Sequence, residues 1–334
     1  NAYSPILVSA RLTGRNYFAG QTFTVPVSII NDSENAKAID SGTLKWQFKS
    51  GDTVLSGGKT AAPAVAYYSK RKMNVRLKAP DKVPGGRVNA QLVFILEVDG
   101  ETVDTNHYAV KIAQHDWSTA PVKSLKERVI VYKPSGNLRR LIGKLGVRAV
   151  ACQNLKDIQL DSNDRLVIDG QLSFKDRSML KTVVRDGEGE VIWLNPKHQA
   201  REVFPQQIQD YRKQNGEIVT MLVPESPVFN GIEIGDLAWL GGPSVPSIPI
   251  SSVGGYHVTW KNPGLTVLAE EMQYHGYLNS PKDKLKYWVT PLVSIKEKDS
   301  ANVVLSEMSV KAALNDPIAL RFAANLLTQD CRDY

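Results

Sequence analysis

The sequence predicts two domains of different class, a β-sandwich followed by a three-layer α/β domain. Three observations carry that expectation. At 334 residues the chain exceeds the usual size of one hydrophobic core. Its first third repeats the two-residue apolar period of half-buried strands, and from Arg128 onward strand and helix periods alternate. Apolar residues make up 42% and charged residues 22%, which excludes the composition of a disordered chain.

Residues 1–114 are expected to form the sandwich. Pro5-Ile6-Leu7-Val8 is strand-like, and Thr22 through Ile29 alternates until Asn31-Asp32-Ser33-Glu34-Asn35 ends it with turn chemistry. Further strands are expected at 43–48, 72–77, 90–98 and 106–112, the last two joined by Asp99-Gly100, a tight hairpin dipeptide. About seven short strands without a convincing helix predict an immunoglobulin-like sandwich. Pro26 lacks an N–H and is expected on an edge or at a bulge.

Residues 115–127, with Trp117, Ser118, Thr119 and Pro121, follow neither period and read as a linker. The α/β domain then occupies residues 128–334. A strand at 128–132 leads to a helix with Leu138, Leu141, Ile142 and Leu145 on one side, stopped by Gly146, and a strand at 147–151 follows. Such a βαβ crossover demands parallel pairing. A strand at 165–168, a helix of about residues 177–186 capped by Asp176 and ended by Gly187, and a strand at 190–194 continue the alternation. Later strands are expected at 216–222, 265–269 and 302–306. The terminal helix has Asp316 as cap, Pro317 at its first position, and Ala319, Phe322, Ala323 and Leu326 as one stripe. Together these predict an open, mostly parallel, flavodoxin-like sheet with helices on both faces. The Pro/Gly/Ser-rich stretch 241–250 is too long for a simple turn and reads as a functional or mobile loop.

Charge narrows the function classes. The formal charge is +7, of which +5 lies in the first 115 residues. Lys70-Arg71-Lys72, the densest basic run, reads as a solvated edge that discourages sheet pairing, and no nucleic-acid signature accompanies it, so no nucleic-acid partner is expected. Two cysteines, Cys152 and Cys331, imply no disulfide framework, and Cys152 reads as a small buried hydrophobe. No apolar run reaches the ~20 residues of a membrane span, and no signal peptide opens the chain. A start at Asn1 running straight into a strand reads as a processed or cut terminus, with further residues expected ahead of it. There is no G-x-G-x-x-G, Walker A or G-x-S-x-G motif, and His107, His115, His198, His257 and His275 lack metal-ligand spacing. No cofactor or metal is therefore expected. Glu270-Glu271 are adjacent and point apart, unlike the flanking carboxylates of a glycosidase.

In an open α/β sheet, ligands gather at the carboxyl ends of the strands. The turn after the strand at 190–194 reads Asn195-Pro196-Lys197-His198-Gln199. It resembles the elbow of class I glutamine amidotransferases, where a strand leads into a cysteine, one residue, a glycine, another residue and a glutamine. Asn195 stands in the cysteine's place and Lys197 in the glycine's. The resemblance implies a degenerate elbow made of Asn195, Pro196, His198 and Gln199, without a nucleophile. A second candidate is the aromatic group between Trp239 and Trp288. Here Trp239, Tyr256, Trp260 and Tyr277, with His257 and His275, offer flat faces and polar tips for carbohydrate or partner contact; core packing is the competing reading.

Longer segments carry a family resemblance. Asn16-Tyr17-Phe18-Ala19-Gly20-Gln21, Val25-Pro26-Val27, Asn31-Asp32-Ser33-Glu34, Leu44-Lys45-Trp46 and Asp104-Thr105-Asn106-His107-Tyr108 resemble the sandwich that follows the catalytic barrel in glycoside hydrolase family 2. Ser226-Pro227-Val228-Phe229-Asn230-Gly231-Ile232, Asp236-Leu237-Ala238-Trp239, and the ending from Asp316-Pro317-Ile318-Ala319 to Asn325-Leu326-Leu327 resemble the amidotransferase-like, beta-galactosidase trimerisation-type module that lies beyond such sandwiches. The resemblance implies a non-catalytic C-terminal region of a secreted, beta-galactosidase-like enzyme in the bacterial periplasm or outside the cell. Its partners would be the upstream catalytic domain, further copies of the chain and an oligosaccharide. The family's two catalytic glutamates lie on a barrel, so none carries over. Two rivals remain: an active amidohydrolase or amidotransferase, which needs a nucleophile at position 195 or beside it, and a stand-alone carbohydrate-binding protein.

Overall fold

The structure, a computed structural model, describes residues 4–213, 215–242, 251–259, 262–272 and 288–329. It is rich in β-sheet and divides into two compact units, with the chain passing from the first to the second between Trp117 and Ser118.

The first unit is a two-sheet sandwich. One sheet has the order β1 (Ile6–Ala10), β3 (Thr22–Asn31), β6 (Ser69–Lys78). The other runs β2 (Asn16–Phe18), β8 (Glu101–Ala113), β7 (Arg87–Val98), β4 (Gly42–Ser50), β5 (Thr53–Ala62). The alternation in β3 turns Phe23, Val25, Val27 and Ile29 inward against Leu44, Trp46 and Phe48 of β4 and Leu92, Phe94 and Leu96 of β7. Tyr17 stacks on Phe23 with ring centroids 4.2 Å apart. Asp99 and Gly100 both take positive φ, as the tight hairpin between β7 and β8 requires. The free edge of β1 is satisfied from the opposite sheet. Val8 N–H donates to Asp104 Oδ2 at 2.7 Å, Ala10 N–H donates to the Tyr108 hydroxyl at 2.7 Å, and Asn106 Nδ2 donates to the Val8 carbonyl at 3.0 Å. Pro26 is neither on an edge strand nor at a bulge, a correction to the expectation: it lies in the middle strand, paired in register with Asn74, and its carbonyl accepts from Arg11 N–H at 2.9 Å. Its missing N–H is tolerated because Val27 is the last residue of β3 paired with β1.

Residues 115–127 are not an extended linker. Helix α1 (His115–Thr119) runs into a 3-10 turn at Ala120–Ser124, with Pro121 near its start supplying the fixed φ that such a turn accepts.

The second unit is built on a ten-stranded sheet. Its strands are β9 (Arg128–Tyr132), β10 (Ala149–Cys152), β11 (Asp164–Asp169), β12 (Glu190–Leu194), β13 (Ile208–Arg212), β14 (Thr220–Met221), β15 (Gly255–Val258), β16 (Leu265–Met272), β17 (Trp288–Ile295) and β18 (Asn302–Ser306). Strands β10-β9-β11-β12-β18 are parallel, in the doubly wound order 2-1-3-4-5 when counted along the chain. Beyond β18 the sheet turns antiparallel through β17 to β15 and β16, a correction to the mostly parallel sheet expected. The helices are α2 (Gly136–Leu145), α3 (Phe174–Asp186), α4 (Gln199–Val203) and α5 (Pro317–Thr328). Ile130, Leu166, Val191, Trp193 and Val303 pack on one face with Leu180 and Val183 of α3 and Ala200 of α4. Strand alternation sends Val167, Ile192, Leu194 and Val304, also buried, to the other face.

Two helix ends depart from expectation. Ser173 caps α3, its hydroxyl accepting from Asp176 N–H at 3.1 Å, so Asp176 sits in the first turn instead of at the cap. Gly187 follows α3 in an extended conformation, whereas Gly146 closes α2 left-handed at φ 74°. The cap of α5 is as expected. The buried Asp316 accepts at Oδ1 from Ile318 N–H (2.8 Å) and Ala319 N–H (3.0 Å), and at Oδ2 from Gly241 N–H (3.0 Å). Asp316→Ala is expected to cost about 2 kcal/mol, the top of the range for a lost cap, because three buried donors lose their acceptor. Urea denaturation of the full chain measures it, and a loss below about 0.5 kcal/mol would show the cap to be dispensable.

Candidate functional site

The candidate site lies where β12 and β18 end side by side. The fully buried run Glu190–Leu194 stops at Asn195, whose backbone turns left-handed at φ 54° and whose N–H donates to the Ser306 carbonyl at 2.7 Å. Lys197 is left-handed too, at φ 58°, and α4 begins at Gln199. Two non-glycine residues in this region within three positions make a tightly bent strand-to-helix turn, held only because its surroundings fix it.

Glu307, which sequence reasoning did not single out, is what fixes it. It follows β18 directly and has no exposed surface. Its Oε1 accepts from Lys197 N–H at 2.6 Å and from the Tyr256 hydroxyl at 2.7 Å, while Oε2 is buried without a hydrogen-bond partner. Burial pushes the carboxyl up to about 7; the bonds from Tyr256 and Lys197 pull the other way and do not prevail. Burial, with the nearby Glu307 carboxyl, also raises the phenols of Tyr256 and Tyr211, whose rings lie 6.0 Å apart, and the buried Tyr211 hydroxyl makes no hydrogen bond. The signal available in the sequence was positional: an acidic residue two places after the apolar run Val303-Val304-Leu305, at the strand's carboxyl end.

The other elbow residues have local tasks. Gln199 is buried; its Oε1 accepts from Leu172 N–H at 2.6 Å and its Nε2 donates to the Leu172 carbonyl at 2.9 Å. Pro196 is buried, and His198 is exposed with Nδ1 3.4 Å from Gln171 Nε2. The neighbouring strand ends carry Lys133, 3.5 Å from the Asp176 carboxylate, and Ser135, which hydrogen-bonds Asp169. The site thus offers a buried carboxyl able to hold or release a proton near neutrality, and an amide where an elbow nucleophile would stand.

The aromatic group is not one surface. Tyr256 is fully buried in the core with its hydroxyl on Glu307, so of the two readings open to it core packing holds and carbohydrate contact does not. His257, next along β15, projects to the opposite side and is half-buried; burial foremost, then the Arg212 charge, lower its pKa against the opposing effect of Asp210. Trp239 is half-buried at a left-handed backbone position, its N–H donating to the Glu217 carbonyl at 2.7 Å. Trp260, His275 and Tyr277 lie outside the described residues, as do Cys331 and most of the 241–250 stretch. Cys152 ends β10 half-buried, its Sγ 3.1 Å from the Asn154 carbonyl. Glu271 is buried and Glu270 half-buried, as alternate positions on a strand should be. Among the described residues no group of His, Cys, Asp and Glu could hold a metal ion, and no helix is long and apolar enough to cross a membrane.

No family model matches the chain, and no curated protein matches it. Among solved structures it is similar to a sporulation control protein from Bacillus subtilis at a TM-score of 0.29 and 14% identity, covering 37% of this chain and 60% of that one. A putative beta-galactosidase from Bacteroides fragilis is similar at a TM-score of 0.23 and 10% identity, covering 58% and 39%. A beta-glucuronidase from glycoside hydrolase family 2 is similar at 0.25 and 12%, covering 58% and 20%. The chain spans less than two thirds of the length of each, and at scores this low family 2 glycoside hydrolases are only loose structural neighbours.

Proposed function

We propose that this chain is a non-catalytic accessory region of a secreted glycoside hydrolase of the family 2, beta-galactosidase-like kind. In this reading the first unit is an immunoglobulin-like brace for an upstream catalytic domain, and the second an amidotransferase-like module that contacts neighbouring modules or further copies of the chain. The observation that carries it is the elbow. A left-handed residue ends a parallel strand and leads into a helix, the backbone geometry that presents a nucleophile in hydrolases of this general architecture, yet the side chain there is that of Asn195. An amide has no lone pair comparable with a thiolate, and Glu307, the adjacent candidate base, spends one oxygen on the turn itself. The segments quoted above for both domains support the choice of parent; secretion to the periplasm or beyond the cell follows from that same resemblance.

The expected result is that the full chain releases no p-nitrophenol from aryl β-galactosides or β-glucuronides and no ammonia from glutamine. Turnover of a glycoside would overturn the accessory role. Ammonia release abolished by Glu307→Gln would favour the amidohydrolase instead.

A further inference from the structure

The outer face of the three-stranded sheet carries a charge pattern that the packing of the first unit does not use. Along β6, Val75 and Leu77 turn into the core, while Lys70, Lys72, Asn74, Arg76 and Lys78 are exposed on the other side. The register sets these five against Ile30, Ser28, Pro26, Thr24 and Thr22 of β3, and Leu7 and Ser9 of β1 continue the same face beyond Ile30 and Ser28. No carboxylate stands at any of these positions. Lys78 is tied to Asp81 at 2.7 Å, but among the described residues Lys70, Lys72 and Arg76 have no acidic partner. They lie on an edge strand, spread over about 20 Å at the rise of an extended chain.

A second observation marks the end where this ladder begins. Tyr67 and Tyr68 are 46% and 79% exposed, their rings 6.1 Å apart and inclined at 49°. Tyr68 holds φ at 55°, an unfavourable backbone for a bulky residue, and the result is an aromatic ring placed in water directly before Ser69 and Lys70.

We propose that this face binds a linear acidic polysaccharide, its carboxylates or sulfates lying along Lys70, Lys72 and Arg76 and a sugar ring resting on Tyr68. The hydroxyls of Thr22, Thr24 and Ser28 beside the cations can exchange hydrogen bonds with sugar hydroxyls. The cations lie along one face of a three-stranded sheet, which is broader than the helix or two-stranded ribbon that a duplex groove admits. The face has no exposed large aliphatic side chain to enter a bilayer. The inference rests on the first unit alone and is independent of the reading of the elbow.

Isothermal titration of the full chain with polygalacturonate, neutral galactan, single-stranded DNA and phosphatidylserine vesicles tests it. Polygalacturonate should bind, weakening as salt is raised from 20 to 300 mM by roughly tenfold or more as exposed charges are screened, and galactan should not bind. The triple variant Lys70→Gln, Lys72→Gln, Arg76→Gln should weaken binding at least about tenfold. Tyr68→Gly, which relieves the backbone and so does not threaten folding, should weaken it several-fold. Failure of polygalacturonate to bind, equal binding by the triple variant, or tighter binding to DNA or vesicles would overturn the proposal.

Discussion

The Glu190→Ala variant should unfold at a much lower urea concentration than the wild-type chain, with a loss of about 3–5 kcal/mol in the transition of the second unit. Glu190 starts β12 and pairs with Arg165, the second residue of the parallel β11; both are almost wholly buried, with side chains 3% and 2% exposed. Arg165 Nε donates to Glu190 Oε2 at 2.7 Å; its two terminal nitrogens donate to the Leu327 and Gln329 carbonyls at the end of α5, at 2.9 and 2.8 Å. Glu190 Oε1 accepts from Asn302 Nδ2 at 3.1 Å, and Asn302 Oδ1 accepts from Ser294 Oγ at 3.0 Å. One network thus fastens the amino ends of β11, β12 and β18 to the last turn of α5. Removing the carboxylate strands a guanidinium in a dry interior, and the cost comes from that stranded charge more than from the lost attraction. The double variant Arg165→Met, Glu190→Leu should therefore lose less than Glu190→Ala, although the α5 carbonyls then lack their donors. A Glu190→Ala loss within about 1 kcal/mol of zero would mean that water reaches the pair.

The pattern that made this network possible was partly legible. β9, β12 and β18 have the bounds their apolar runs suggest, because a strand buried on both faces needs no alternation and is delimited by the polar turns around it. The strands that escaped are of another kind. Ile208–Arg212 and Gly255–Val258 are short and mix charged or polar residues with apolar ones without a clean period, and Pro291 interrupts Trp288–Ile295. Their pairing is set by the sheet that receives them, not by local propensity. Residues 216–222 failed in the opposite direction: the pattern suggests a full strand, but only Thr220–Met221 pairs, with single bridges at Gly216 and Ile218. In the sandwich, β5 was hidden by Gly57-Gly58. Gly58 lies against the Trp46 indole so closely that a Cβ would come within 2.7 Å, so the residue that weakens the strand signal is the one the ring requires.

The site divides along the same line. Asn195 could be found because an elbow is local, five residues after a strand begins and at the head of a turn. Glu307 had only its place at a strand's carboxyl end to mark it, because its two bonds come from Tyr256 and from Lys197, the latter 110 residues away in sequence. Nothing in Leu305-Ser306-Glu307-Met308 announces that the carboxyl has no water. Tyr256 was found for its ring, with a contact surface and core packing both open to it; it lies in the core, and its hydroxyl is the group that reaches Glu307.

Glu307 therefore carries the second large prediction, a pH dependence that Glu307→Gln should remove. In the folded chain burial raises this carboxyl from 4.5 to about 7. Between those values the native state retains a proton that the unfolded chain has released, so stability falls as pH rises. The contribution is fully present below about pH 4.5 and is lost as pH passes through 7; at 1.36 kcal/mol per unit it amounts to about 3 kcal/mol. Glutamine keeps an acceptor oxygen for Lys197 N–H and the Tyr256 hydroxyl and has no charge to bury. The stability difference between wild type and Glu307→Gln should consequently move by about 3 kcal/mol in favour of the variant between pH 4.5 and pH 8. Other carboxyls raised by burial, such as Glu271, titrate in both proteins and cancel in that difference. Urea midpoints that run parallel across this window would show that Glu307 does not titrate there. A shift of the expected size would instead mean that the turn at Asn195 is anchored to a carboxyl that changes charge near neutrality. The strain at positions 195 and 197 would then be sustained by an acceptor whose strength follows pH, and the bend of the elbow would be coupled to the protonation of a residue in the core behind it.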